Sequence, residues 1–379
     1  MATRGKAKTI VFAVVLAVLV FVSIEVLMFL FEPWFFRGLY MYDPDLGYKV
    51  RPNLKTTNRF GFNDRDYPLE KEPGTYRILF LGDSFCWAGG SDHNYTIALE
   101  RMFNRHFGRH LVDVINAGYP MTWTREQRAL LEKYGLQYKP DLVVLAFFAG
   151  NDFQDADPHR KRIVVNDTYF DIDRRDEVIL FGRPLFIQSR LLSLIRQKIR
   201  IYRVMRTAGK EYRERLKRHK LMPMRGLFPK PTFLEIERNR LLFCHLPTYE
   251  KGGQDEKIDL VLSEVGKIKS LLDREEVEFM VMMIPDEFQV DHDLRDQVME
   301  TYDLDPSEYD EDLMQTVLAG YLDELGVEWL DLLPEFRDAG REKRLYKLHD
   351  THWNVKGNHL AAEILFRHLL PVVEVSDPI

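Results

Sequence analysis

Arg77-Ile78-Leu79-Phe80-Leu81-Gly82-Asp83-Ser84 is the stretch on which the fold turns. Five residues, apolar after the first, reach a Gly-Asp-Ser turn, as in a short buried strand that stops where the backbone must bend. Four more runs of this kind follow: Leu111–Ile115, Leu142–Phe148, Val277–Ile284 and Val327–Leu332. Helix-period stretches lie between or after them, at Tyr95–Phe107, Arg125–Tyr134, Lys257–Asp273, Ser307–Leu325 and Val355–Leu370. In Lys257–Asp273, Ile258, Val261, Leu262, Val265, Ile268 and Leu271 recur at three-to-four spacing, the mark of one buried helix face. Strand and helix in alternation predict an α/β domain, with a five-stranded parallel sheet covered by helices on both faces. Ligands of such sheets bind beyond the carboxyl ends of the strands.

The residues just past the strands therefore come first. Gly82-Asp83-Ser84 would hold a hydroxyl at a strand-to-helix turn. Asn116-Ala117-Gly118 follows the second strand, and a glycine there lets a backbone N–H come close to a ligand. Gly150-Asn151-Asp152 follows the third strand, and the Asn151 amide can donate to an oxyanion. Just before the last helix, His349-Asp350-Thr351-His352-Trp353-Asn354 offers an imidazole and a carboxylate two residues apart, a base and a group to orient it. Taken singly, each is an ordinary turn or cap. Together they converge on one edge of the sheet. Cys86 reads as a buried neighbour of Ser84. No metal-ligand spacing links Asp152, His349, Asp350 and His352, so neither metal nor cofactor is expected.

The chain has 379 residues and a formal net charge of −6, with 45% hydrophobic and 30% charged residues. That excludes a mainly disordered chain and speaks against a nucleic-acid binder. Two cysteines, Cys86 and Cys244, exclude a disulfide framework and a Cys-based zinc cluster, though one bridge between them stays open. Arg4, Lys6 and Lys8 precede an apolar run from Ile10 to Phe31, 22 residues or about 33 Å of helix, enough to cross a bilayer. The basic flank places the N-terminus in the cytoplasm and the body outside it. Trp34, Phe35, Phe36 and Tyr40 follow as an interfacial belt. No small-x-small cleavage site follows, which favours an anchor over a signal peptide. Glu25 interrupts the run, at a cost of about 2–3 kcal/mol. It reads either as a group reaching for the interface or as a contact with a membrane-protein partner. From Arg190 to Lys220 there are 12 Lys or Arg against 2 Asp or Glu, interleaved with Leu191, Leu192, Ile195, Ile199 and Tyr202. This stretch reads as an amphipathic helix packed on the domain, or one meeting anionic lipid or an acidic polymer.

Gly82-Asp83-Ser84, Gly118, Gly150-Asn151-Asp152 and Asp350 with His352 resemble the four ordered blocks of the SGNH (GDSL-type) hydrolase superfamily, over about Tyr76–Val372. Asp350-x-His352-Trp353 is similar to the block of enzymes that O-acetylate exported polysaccharides. The closer likeness is to membrane-anchored SGNH proteins of bacterial surface-polysaccharide systems. The resemblance implies a three-layer, flavodoxin-like domain over 76–379, with a mainly helical insertion at about 153–253. A cytoplasmic segment (1–9), a transmembrane anchor (10–31) and an irregular lead-in (32–75) come before it. It also implies roles. Ser84 is the nucleophile, His352 its base and then acid, and Asp350 the holder of the imidazole. The Ser84 and Gly118 N–H groups and the Asn151 amide form the oxyanion hole. The expected activity is an esterase or O-acetyltransferase facing away from the cytoplasm, at a bacterial inner membrane. Its partners would be an acylated polysaccharide or other ester and the bilayer. A lipid-directed esterase and a non-catalytic envelope scaffold are the rival expectations.

Overall fold

The structure is a computed structural model, and it describes residues 2–88, 93–165, 167–181, 183–184, 189–207 and 228–373. Its central sheet has five strands: β1 (Tyr76–Gly82), β2 (Val112–Asn116), β3 (Leu142–Phe148), β4 (Glu278–Ile284) and β5 (Glu328–Asp331). They lie in the order β2-β1-β3-β4-β5, and every neighbouring pair is parallel. Each matches one of the five apolar runs to within two residues at either end. The chain leaves β1 toward one edge of the sheet and returns beyond it at β3. The crevice at the carboxyl ends of β1 and β3 is thus the topological switch point, where Gly82 pairs with Ala146.

Both faces of the sheet are covered, which is why β2 and β3 are buried along their whole length. On one face Ile78, Phe80, Val144 and Met280 pack with Leu99 and Phe103 of the helix Tyr95–His106 and with Ala361 and Leu365 of the helix Val355–Leu369. Leu79 points the other way, toward Gly135, just past the helix Thr124–Lys133 that packs on Asp255–Arg274. The helix expected over Ser307–Leu325 begins only at Leu313. Pro306 sits in a single 3-10 turn, Pro306–Glu308, capped by Asp305, and the acidic residues up to Asp312 form turns instead.

The described residues fall into two compact units, Met1–Arg51 with His159–Gly226, and Pro52–Pro158 with Leu227–Ile379. The second unit holds the sheet. The first holds the helix Ala2–Phe35, whose segment Lys8–Glu32 is long and apolar enough to cross a membrane. It also holds the helix Arg190–Thr207, a short antiparallel pair, Tyr40–Met41 with Lys49–Val50, and two hairpins, Arg160–Val165 with Thr168–Asp173 and Ile179–Leu180 with Arg183–Pro184. The stretch 153–253 is therefore divided between the units, and it carries these hairpins beside its helices. Arg160-Lys161-Arg162 hides the first strand from an apolar count. Residues 208–220 of the basic stretch lie outside the described residues.

Candidate active site

β1 delivers Ser84 through a tight sequence of contacts. A Cβ on Gly82 would lie 2.7 Å from Cys86 Sγ and 3.0 Å from the Ala146 carbonyl oxygen, so only glycine lets β1 turn this close to β3. Asp83 caps the four-residue helix Ser84–Trp87 by accepting the Phe85 N–H at 2.8 Å. A helix this short has few internal bonds of its own. Three asparagine amides from separate segments hold its carbonyls. Asn63 donates to the Trp87 oxygen at 2.8 Å, Asn116 to the Cys86 oxygen at 2.6 Å, and Asn94 to the Cys86 and Ala88 oxygens at 2.6 Å each. The sequence marks Asn116 as part of a strand-end turn but shows this role for none of the three, because the carbonyls they hold lie in another segment.

His352 arrives from the other end of the chain. Tyr346–Lys347 and Asp350–Trp353 pair as an antiparallel hairpin, with His349 at its turn in the left-handed region (φ 50°). His352 Nε2 lies 2.8 Å from Ser84 Oγ, and its Nδ1 lies 2.8 Å from Asp350 Oδ1. A hydroxyl, an imidazole and a carboxylate thus stand in one hydrogen-bonded line at the switch point. Such a line can take a proton from the hydroxyl and hold the resulting imidazolium. Burial acts to raise the Asp350 carboxyl, but the hydrogen bond and charge of His352, with Lys347 beyond, outweigh it and hold it below the usual carboxylate range. His349 faces away from this line, with its ring against Phe233. Trp353 locks the hairpin. It is fully buried, stacks on Phe336 at 4.9 Å between centroids and meets Phe85 edge-on at 5.2 Å, while Phe85 also lies against the His352 ring at 5.1 Å. Asn354 caps the last helix, accepting from the Lys356 and Gly357 N–H groups at 2.8 and 3.1 Å.

The remaining block residues have hydrogen-bond partners of their own. The Gly118 N–H donates to Asn116 Oδ1 at 3.0 Å, so it serves an oxyanion only by sharing or breaking that bond. The steric reason for this glycine is plainer: a Cβ there would fall 2.0 Å from Cys86 Cβ. Gly118→Ala is accordingly expected to push the Ser84 helix out of place. Turnover should fall about 10²-fold or more, since misplacement by about 1 Å costs that much, with about 1–3 kcal/mol of stability lost to overpacking. Kinetics beside a thermal melt checks this, and wild-type turnover would show that the contact relaxes. The Asn151 amide donates to Asp155 Oδ2 at 3.1 Å, which leaves its second N–H for a ligand. Gly150 makes room for Asp286, whose Oδ2 would lie 1.9 Å from a Cβ. Asp152 accepts the Phe148 N–H at 2.8 Å and so shapes the turn. Burial raises the Asp83 and Asp152 carboxyls above the ordinary range, and the charge of Asp83 adds to the rise at Asp152. Cys86 and Cys244 are free and buried, so the bridge left open does not form. Burial pushes the Cys86 thiol far up, and its Sγ rests 2.7 Å from Tyr95 Oη.

Residues 238–377 match the family model of the SGNH hydrolase-like domain, acetyltransferase AlgX. That stretch contains β4, β5, Asp350 and His352, while Ser84, Gly118 and Asn151 precede it. No curated protein matches the chain. Among solved structures, the acetyl xylan esterase AlAXEase superposes with a TM-score of 0.40 at 12% identity, covering 77% of this chain and 99% of that one. A catalytic mutant of an acetylxylan esterase from Geobacillus stearothermophilus gives 0.41 at 11% identity, covering 78% and 94%. A putative acylhydrolase from Bacteroides fragilis NCTC 9343 gives 0.36 at 8% identity, covering 80% and 91%. Over residues 238–377, which hold the last of the four blocks, the likeness to SGNH hydrolase-like proteins read from the sequence is matched by that family model.

Proposed function

We propose that the protein is a serine-dependent acyl-ester hydrolase or O-acetyltransferase, anchored in a bacterial inner membrane by its first helix and acting outside it on acetylated polysaccharide. The observation that carries the reading is the line from Ser84 Oγ through His352 to Asp350, built from residues 268 positions apart. Ser84 Oγ attacks the acyl carbonyl and His352 Nε2 takes the hydroxyl proton. The bond to the donor oxygen then breaks, and His352 returns the proton to that oxygen. The acyl group, now an ester on Ser84, passes to water or to a sugar hydroxyl activated by the same imidazole. Asp350 holds the ring and stabilises its charged form. The Asn151 amide and the Ser84 and Gly118 N–H groups are the candidate oxyanion donors, each worth about 10²–10³ in turnover.

The test uses the full chain in detergent with acetylated oligosaccharides, with and without an unacetylated acceptor. Acetate release alone identifies an esterase, and acetyl on the acceptor identifies a transferase. Neither product from any acetyl ester overturns the reading. In the same assay His352→Ala is expected to remove activity, whereas His349→Ala leaves at least half of it. The opposite result would mean that the other imidazole is the base.

A further inference from the structure

Glu25 is the one carboxylate in the interior of the apolar segment Lys8–Glu32, and the chain supplies its partners. Its carboxylate accepts from Ser189 Oγ, from the Arg190 N–H at 2.8 Å and from the Leu191 N–H at 3.1 Å. These belong to the start of the helix Arg190–Thr207, where backbone donors have no partner within the helix. Arg190 completes the joint. Its guanidinium pairs with Glu32 at 2.6 Å, lies over the Phe29 ring at 5.1 Å and donates to the Pro184 oxygen at 3.0 Å. The second helix thus begins beside the anchor at the depth of Glu25, about 10 Å of helix before Glu32. It climbs from there. Lys198 comes within electrostatic reach of Asp167, which accepts the Gly38 N–H at 2.9 Å, just past the end of the anchor helix.

This helix turns an apolar stripe outward among basic residues. Leu192, Ile195, Ile199 and Tyr202, spaced three, four and three apart, are 45, 43, 45 and 65% exposed, with Arg196 and Lys198 exposed beside them. The hairpin tied to it through Pro184 does the same, carrying exposed Ile179 and Leu180 and, at its turn, Phe181, which is 82% exposed. An apolar stripe and an apolar tip, both joined to a membrane-crossing helix near one end, are placed where water gives way to lipid. Grouped exposed apolar residues of this kind mark contact surfaces. A stripe flanked by basic residues is the pattern of interfacial helices, whose long cations reach up to the headgroups.

We propose that the hairpin tip and the stripe of the helix Arg190–Thr207 bed into the leaflet next to the outer end of the anchor, making a lipid-embedded collar around it. The inference rests on the reading of Lys8–Glu32 as a membrane anchor. It makes Glu25 the internal fastening of the collar, rather than a contact for another membrane protein.

The test places one spin label at a time on the full chain in nanodiscs of phosphatidylcholine with phosphatidylglycerol, using Phe181→Cys, Ile199→Cys, Leu19→Cys and Ser263→Cys. Accessibility to oxygen and to an aqueous nickel chelate is then compared. The collar predicts that labels at 181 and 199 favour oxygen over nickel, as at 19, while the label at 263 shows the reverse. If 19 reads lipid while 181 and 199 read water as 263 does, the collar is overturned and the anchor stands. If 19 also reads water, both are overturned. Low access to both reagents at 181 and 199 overturns the collar in favour of a protein covering that surface. Glu25→Leu, with the cap lost and the anchor more apolar, is expected to raise nickel access at 199 at least twofold with no change at 19. No change at 199 would overturn the fastening role of Glu25.

Discussion

Ser84→Ala is expected to abolish labelling by a fluorophosphonate probe and to lower turnover of acetyl esters by about 10⁴-fold or more. The reason is chemical rather than structural. Without the hydroxyl there is no atom to carry the acyl group, and whatever donors face the carbonyl are left with the modest catalysis they supply alone, about 10³–10⁴ over water in enzymes of this type. Fold and stability should be unchanged, because the hydroxyl's contacts are the 2.8 Å bond to His352 and a long one of 3.4 Å to Asp83. A folded, wild-type-like melt together with lost labelling therefore isolates the nucleophile. If neither wild type nor variant labels, and the variant supports full function in the cell, the protein is a scaffold that keeps the fold.

Asp350→Asn should cost about 10³–10⁴ in turnover, because an amide at this position favours the wrong imidazole tautomer and no longer stabilises the charged ring. The pH profile separates this role from a plain acid–base one. Despite burial, His352 and Lys347 hold the Asp350 carboxyl below the ordinary carboxylate range. It is lowered, so it is ionised above that range and gains a proton only as the pH falls through its depressed value. Any loss of activity between pH 8 and 5 then belongs to a group other than Asp350, either an imidazole, the side chain that ordinarily changes charge in that window, or the raised carboxyls of Asp83 and Asp152. Wild-type activity is expected to rise with pH across it. A flat profile from pH 5 to 8 would remove the imidazole from the mechanism. An acid limb confined below about pH 4 would assign that limb to a carboxylate.

Periodicity made the sheet legible. β3 is a continuous apolar run, and β1 and β4 are apolar after Arg77 and Glu278; a run of that length between helix-period stretches has few other ways to bury itself. The nucleophile candidate and its imidazole were legible because each sits at a strand end or in the last loop. What stayed hidden depends on contacts between distant segments. Gly118 looked like a ligand-facing glycine, yet it is needed first for the approach of Cys86. Asn63, Asn94 and Asn116 look like turn residues, and only the folded chain shows that their amides converge on one four-residue helix. Arg240 sits in a stretch without strand signal. It is nonetheless buried over the Phe148 ring, 3.2 Å from Asp286 and from Glu237. The hairpins of the first unit escaped notice because charged residues break their alternation.

The asparagine clamp also sets how far the chain can be trimmed. The first strand starts at Tyr76, which invites a cut there, but Asn63 and its neighbours lie upstream. Asp64 Oδ2 accepts the Asn116 N–H at 2.8 Å, Tyr67 donates to the Val114 oxygen at 3.0 Å, and Phe62 is wholly buried. A truncated protein beginning at Tyr76 would keep every strand of the central sheet and still release one of the three hands on the serine helix. The shortest piece able to work should start before Asn58, whose Oδ1 accepts the Phe62 N–H at 3.1 Å, in a stretch that looks at first sight like a mere tether.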